Sequence, residues 1–279
     1  MLSFEDKVIP LDTWITAFID WLVEGYRWFF QGIKWPVEVT LMGIQNGLVA
    51  TPPLLIIAVL ALIAWRVSGL KLGGFTIATM VLIGLLGLWE ETMITLAMVF
   101  CSVVFCTVVG IPLGIMAGRS DRFEASLRPV LDAMQTTPAF VYLVPIVMLF
   151  SIGNVAGVLA TIVFALPPII RLTSLGIRQV HPELVEAALA FGATSWQVLL
   201  KVQIPLALPT IMAGLNQTIM MALSMVVIAA LIGAGGLGAP VVLGLNTLDI
   251  GLATIGGLAI VLMAIVLDRI TQSMGARKK

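Results

Sequence analysis

The sequence predicts an all-α, polytopic membrane helix bundle of about seven transmembrane helices, with one helical elbow outside the lipid. Three observations carry this. The 279-residue chain is 60% hydrophobic and 11% charged, with a mean hydropathy of +1.11; a soluble domain is nearer half apolar and a quarter charged. Seven runs have the length and apolar character of a membrane-crossing helix, about 17–25 residues, and none alternates in polarity as the strands of a barrel would. Lys and Arg fall on alternate connections between those runs, the asymmetry that orients membrane proteins.

In chain order, residues 1–47 form a tail. Asp20, Glu24, Arg27, Gln31 and Lys34 recur at spacings of four and three, which makes one face of a helix. Trp14, Phe18, Trp21, Trp28 and Phe29 fall largely elsewhere, so the tail reads as an amphipathic helix lying in the lipid interface with its rings at headgroup level. The alternative is an eighth span, with the charged stripe buried among other helices. "MLSFEDKVIP" has no basic region followed by an apolar core, so no cleaved signal peptide is expected.

Residues 48–279 form the transmembrane domain. Its predicted spans are 48–67, interrupted by Pro52 and Pro53, then 72–89, 92–117, 131–152, 155–172, 206–231 and 250–267. With seven spans and the N-terminus outside, the inner connections hold Arg66 and Lys71; Arg119, Arg122 and Arg128; Arg171, Arg178 and Lys201; and Arg269, Arg277, Lys278 and Lys279. These are twelve of the fifteen basic residues. The outer loops hold Glu90, Glu91 and Asp249 and no basic residue. The C-terminus and the long 171–206 connection are thereby expected in the cytoplasm of a bacterial cell bounded by its inner membrane.

That connection is "EAALAFGATSWQVLLKVQIPLALP" over 186–209, with its approach. Pro182 suits the first turn of a helix, and Glu183 and Glu186 meet the positive end of its dipole. Leu184, Ala187, Ala188 and Phe191 recur at helical spacing. Gly192 can take the left-handed conformation that ends a helix, and Thr194 or Ser195 can cap the next, whose apolar positions are Trp196, Leu199, Leu200 and Val202. Pro205 marks entry into the following span. The product, over 178–205, is an elbow that exposes side chains preferring burial. Such surface marks a docking site; the alternative is a loop packed back on its own bundle.

Polar groups within spans are costly and often functional. Gln135, Thr136 and Thr137 precede Pro138 at the start of the fourth span, Tyr142 follows, and Asn216, Gln217 and Thr218 lie in the sixth. They can line a wet pathway; the same residue types also bond helix to helix, and the sequence leaves both roles open. Asp132 is expected to pair with Arg128 at i, i+4. "GAGGLG" over 233–238 lacks the strand, helix and Gly-Lys-Ser/Thr of a phosphate loop and reads as an outer turn or gate. His181 is a solitary loop histidine. Cys101 and Cys106 read as small buried hydrophobes rather than a disulfide or metal site. No catalytic residue and no metal ligand set is assigned, and a net charge of zero gives no sign of nucleic-acid binding.

At this point the residues resemble a known pattern. Glu186-Ala187-Ala188, three residues, Gly192, nine residues, then Val202-Gln203-Ile204-Pro205 is similar to the EAA loop of ABC importer permeases. There the pattern is Glu-Ala-Ala, three residues, Gly, nine residues, Ile-x-Leu-Pro. Val202 and Ile204 are mild apolar departures. "LDAMQTTPAFVYLVPIVMLFSIGN", "FALPPIIRLTSLGIRQV" and "NQTIMMALSMVVIAALIGAGGLG" resemble the permeases for glycine betaine, proline betaine and choline. The resemblance implies the transmembrane domain of a type I ABC importer, and a non-enzymatic subunit. It implies a second permease copy, a cytoplasmic ABC ATPase that binds ATP and Mg, and an extracytoplasmic solute-binding protein. It gives the elbow, with Glu186, Ala187, Ala188, Gly192, Val202, Ile204 and Pro205, the role of coupling to the ATPase. This chain itself needs no cofactor. The solute expected is a quaternary-ammonium osmolyte. The alternatives are a permease for another small solute such as an amino acid, or an ion-coupled secondary transporter. The latter is disfavoured because no ionisable residue lies deep within a span.

Overall fold

In the computed structural model, which describes residues 10–276, helix follows helix with short joints. Arg277, Lys278 and Lys279, three of the twelve inner basic residues, lie outside the described residues, as does the 1–9 stretch read for a signal peptide. The tail is two helices, α1 (Leu11–Gly25) and α2 (Arg27–Ala50), hinged at Tyr26. The expected polar stripe is therefore divided: Asp20 and Glu24 stand on α1, and Arg27, Gln31 and Lys34 on α2. The second helix runs on through residue 47 and buries Val37 and Leu41 against α5.

Two predicted spans are broken. The 48–67 run bends by 108° between α2 and α3 (Pro53–Ser68). Pro53 occupies the first turn of α3, where its missing N–H costs no helix bond. α4 (Leu70–Leu85) follows and packs back on α3, with Gly69 between them at φ +95°. The 131–152 run is likewise two helices, α6 (Asp121–Thr136) and α7 (Ala139–Phe150), meeting at 99°. The break falls at Thr137-Pro138, because proline holds the preceding residue in an extended conformation; Thr137 has ψ 126°.

The long helices are α5 (Trp89–Arg119), α8 (Asn154–Arg178), α11 (Ile204–Ala230) and α13 (Ile250–Ala276). Among the described residues, four helices are long and apolar enough to cross a membrane, or up to six if each bent pair is one span; α4 is a shorter apolar helix. α8 continues six residues beyond its predicted end, through Pro167 and Pro168, so the connection that follows is shorter than expected. α12 (Gly238–Thr247), not anticipated from the sequence, packs on α13.

The centre of the bundle is α8, packed on α5 and α11. A glycine seam allows this. A Cβ on Gly114 would stand 2.5 Å from the Thr173 Cβ and 2.7 Å from the Ile170 carbonyl oxygen, and one on Gly118 would stand 2.9 Å from the Ile177 Cβ. Gly110 opposes Ile169 in the same way. Small residues four apart let two backbones approach closely, which is how helices associate where lipid supplies no hydrophobic drive. Cys101 and Cys106 are buried free thiols on α5.

Candidate functional site

The elbow leaves α8 at Arg178 and re-enters the bundle at α11. Its first helix, α9 (Pro182–Ala190), has Pro182 in the first turn and Glu183 beside the dipole's positive end, as the sequence indicates. Gly192 has φ +81°. Its N–H donates to the Leu189 carbonyl (2.9 Å), and the Ala193 N–H donates to the Ala188 carbonyl (3.0 Å). This pair of bonds is the Schellman helix end. It gives a physical reason for the Glu-Ala-Ala, three-residue, Gly spacing: the carbonyl of the second alanine receives the bond that the glycine's left-handed turn makes possible.

The second arm starts at Thr194. The Gln197 N–H donates to Thr194 Oγ1 (3.3 Å) and the Thr194 N–H to Gln197 Oε1 (2.8 Å), a reciprocal capping box,. Thr194, not Ser195, is thus the cap. α10 (Ser195–Val198) then runs through a wide π turn, Leu199–Gln203, directly into α11. Pro205 has no N–H to return to the Lys201 carbonyl, and a wider turn accommodates the lost bond. Val198 and Leu199 are buried at the root of the arm, and Val202 and Ile204 are half-buried. Beyond that root the elbow faces outward. α9 buries no residue; Phe191 is 93% exposed and Trp196 68%, and Leu184, Leu189 and Leu200 are also exposed. Glu186 and Ala187 are exposed and Ala188 is half-buried. The loop is not packed back on its own bundle.

Ion pairs tie α6 to α8 at the elbow's end of the bundle. Arg178 reaches Asp121 (2.6 Å) and Glu124 (2.9 Å) and donates to the Ala117 carbonyl (2.8 Å). Asp132 pairs with Arg171 at 2.5 Å, correcting the expected pairing with Arg128, which instead meets Glu124 at 3.4 Å. The bend at Pro138 turns α6 so that it lies along α8, and the cross-helix arginine competes better than the one on Asp132's own helix.

The candidate pathway residues divide into three groups. Thr136, Thr137 and Tyr142 serve the bend. The Thr136 and Thr137 hydroxyls donate to the Ala133 carbonyl (3.5 and 2.8 Å), and the Tyr142 hydroxyl lies against the Met134 and Ala133 carbonyls. Met134 is four residues before Pro138, so no backbone N–H is available for its carbonyl; the tyrosine hydroxyl takes that place. Asn216 bridges α11 to α13: its amide N–H donates to Asp268 Oδ1 (3.0 Å) and its oxygen accepts from Thr271. Asp268, also bonded by Gln272 at 2.7 Å, was not singled out in the sequence. Thr218 donates to the Ala165 carbonyl of α8 (3.1 Å). Gln135 is half-buried, Gln217 is exposed, and neither amide bonds another described residue. The structure therefore does not gather all six into one cluster.

At the opposite end of the bundle, the 233–238 run is a pinned turn. The Gly235 N–H donates to Asn154 Oδ1 (2.7 Å) and the Leu237 N–H to Thr95 Oγ1 (2.8 Å).

The family model for the binding-protein-dependent transport system inner membrane component matches residues 110–279, which contain the elbow and every helix from α6 onward. The chain belongs to that family. Among relatives of this permease, the glycine betaine/proline betaine transport system permease protein ProW of Escherichia coli (strain K12) is 57% identical over 272 residues, 98% of this chain and 77% of that one. The glycine betaine transport system permease protein OpuAB of Bacillus subtilis (strain 168) is 47% identical over 271 residues, 97% of this chain and 96% of that one. A solved inward-facing structure of the MetNI methionine ABC transporter aligns at a TM-score of 0.55 and 28% identity, covering 66% of this chain and 90% of the matched one. The fold of an amino acid ABC transporter crystallised with histidines also aligns, at a TM-score of 0.57 and 21% identity, over 67% and 92% of the two chains. The permease is thus a multi-span helical inner-membrane subunit of an ABC importer, not an enzyme. Membership in this family implies an ATPase partner and a binding protein.

Proposed function

We propose that this permease carries a quaternary-ammonium compatible solute, with glycine betaine the first candidate, and that the 186–205 elbow couples it to the ATPase. Relatives named for glycine betaine at 57% and 47% identity support the solute. The coupling role rests on one observation: an outward-facing helix with no buried residue, followed by exposed Phe191 at its end and exposed Trp196 on the second arm, whose root is buried at Val198 and Leu199. Apolar surface of that kind is stable only when covered. Ala187 and Ala188 allow close approach of a partner surface, and Glu186 offers it a charge. Gly192 fixes the angle between the arms, while Val202, Ile204 and Pro205 join the second arm to α11, so a pull on the elbow is transmitted to the bundle.

In this reading two copies of the chain form the pathway, ATP and Mg are held by the ATPase, the elbow and C-terminus are cytoplasmic, and the N-terminus is outside. α1 lies at the membrane interface with Trp14 and Trp21 toward the headgroups. Gln135 and Gln217, with amides not engaged elsewhere, face the solute; Asn216, Thr136, Thr137 and Tyr142 shape the walls. Reconstitution with the neighbouring ATPase and binding protein tests this. ATP-dependent uptake of labelled glycine betaine is expected; uptake driven by a sodium or proton gradient without ATP contradicts it.

A further inference from the structure

A cleft of about 370 Å³ opens between α6 and α8 at the end of the bundle from which the elbow leaves. That volume is at the small end of the range for ligand sites, about 300–1,000 Å³. Its lining mixes apolar residues, Leu127, Leu131 and Ile170, with charged ones. Three arginines (Arg128, Arg171 and Arg178) and two carboxylates (Glu124 and Asp132) line it, a net charge of +1. Ser174 also lines it. Its side chain is only 5% exposed, and its hydroxyl has no hydrogen-bond partner among the described residues.

An unpartnered buried hydroxyl is uncommon, because leaving one unmade bond costs more than a typical bond contributes. Here the residue that carries it lines a cleft shared with three guanidinium groups. Arg128 and Arg171 each make a single ion pair among the described residues. A guanidinium has five N–H donors, so both keep donors for a further oxygen. A planar anion is what such a fork recognises best. Asp132 and Glu124 beside them suit a positive group on the same molecule, and the leucines suit its alkyl substituents.

We propose that this cleft is a binding site for a small zwitterion, whose carboxylate is taken by Ser174, Arg128 and Arg171. The ligand's identity as the transported solute rests on the function proposed above; the carboxylate preference does not. The site lies beside Arg178, four residues before the first arm of the elbow begins at Pro182, so occupancy at the root of α8 bears on the coupling element.

The test uses the permease with its ATPase in lipid nanodiscs, without the binding protein. Leu175, which lines the cleft and is partly exposed, is replaced by cysteine as a reporter; the native Cys101 and Cys106 are buried. Maleimide labelling is timed in glycine betaine, acetate and choline, with sodium chloride as the ionic-strength control. Glycine betaine and acetate are expected to slow labelling several-fold over the salt control, and choline, which has no carboxylate, is not. Ser174→Ala and Arg128→Gln should each raise the half-protecting concentration about tenfold, the effect of one lost bond to a charged group. If Ser174→Ala does not assemble, Arg128→Gln decides alone, since that side chain is largely exposed. No protection by either carboxylate, equal protection by choline, or unchanged protection in the variants overturns the proposal. ATP-driven betaine uptake without carboxylate protection defeats the cleft alone. Protection without betaine uptake defeats the solute assignment alone.

Discussion

Gly114 of α5 faces Thr173 of α8 so closely that a single added carbon would stand 2.5 Å from the threonine Cβ. This contact, with Gly118 against Ile177, holds together the two helices on which the rest of the bundle is built. Gly114→Val should force them apart, lowering the thermal midpoint of the detergent-solubilised permease by several degrees; overpacking of this kind costs about 1–3 kcal/mol. Gly74→Ala, where nothing lies within 4 Å, should leave the midpoint unchanged or raise it. Equal loss in both variants would mean that the seam does not set the packing.

Tyr142 and Pro138 should be energetically coupled. The tyrosine hydroxyl serves the Met134 carbonyl, which Pro138 leaves without its helical donor. Tyr142→Phe should destabilise by about 1 kcal/mol, since it leaves a part-buried carbonyl without its donor,. In the Pro138→Ala background, where an N–H is restored, the same change should cost less than half as much. A double-mutant cycle on thermal stability reads this directly; additive effects would separate the two residues.

Asn216 joins α11 to α13 through Asp268 and Thr271. Asn216→Leu removes both bonds and leaves the Asp268 carboxylate with one fewer donor. Interhelical bonds in membranes contribute about 0.6–1.7 kcal/mol each, so a fall of a few degrees in the thermal midpoint is expected. Asn216→Asp should be worse, since it sets two carboxylates together, and a loss that grows as pH rises would identify that repulsion.

How much of this was legible in the sequence depended on how local the physics is. The elbow was readable: Pro182, Glu183 and Gly192 act on their own turns, and residue type alone fixes what they do. The choice of Thr194 over Ser195 followed only from seeing Gln197 reach back. Hydropathy locates the apolar runs but carries no direction: Pro52 and Pro53 mark an interruption in the first run without giving its 108° angle, and the bend at Thr137-Pro138 lies inside an apparently single span. The pairing of Asp132 with Arg171 was invisible to helical spacing because its partner is thirty-nine residues away. α12 carries no clear sequence signal, because it starts at the last glycine of 233–238, a run whose composition marks a turn. Among the polar residues singled out in the spans, Thr136, Thr137 and Tyr142 bond at the hinge and Asn216 and Thr218 bridge helices, because a polar side chain in a helix reports a need for a partner without saying which.

The elbow is the account's central claim, and co-purification of the ATPase with permease variants tests it most directly. Phe191→Ala and Trp196→Ala, together, change side chains that touch little of the bundle, so the permease's thermal midpoint should stay within about one degree, as for ordinary surface substitutions. The amount of ATPase retained should fall at least tenfold. Undiminished retention, with betaine-stimulated ATP hydrolysis at the unmodified level, would contradict the claim that this elbow is the coupling surface.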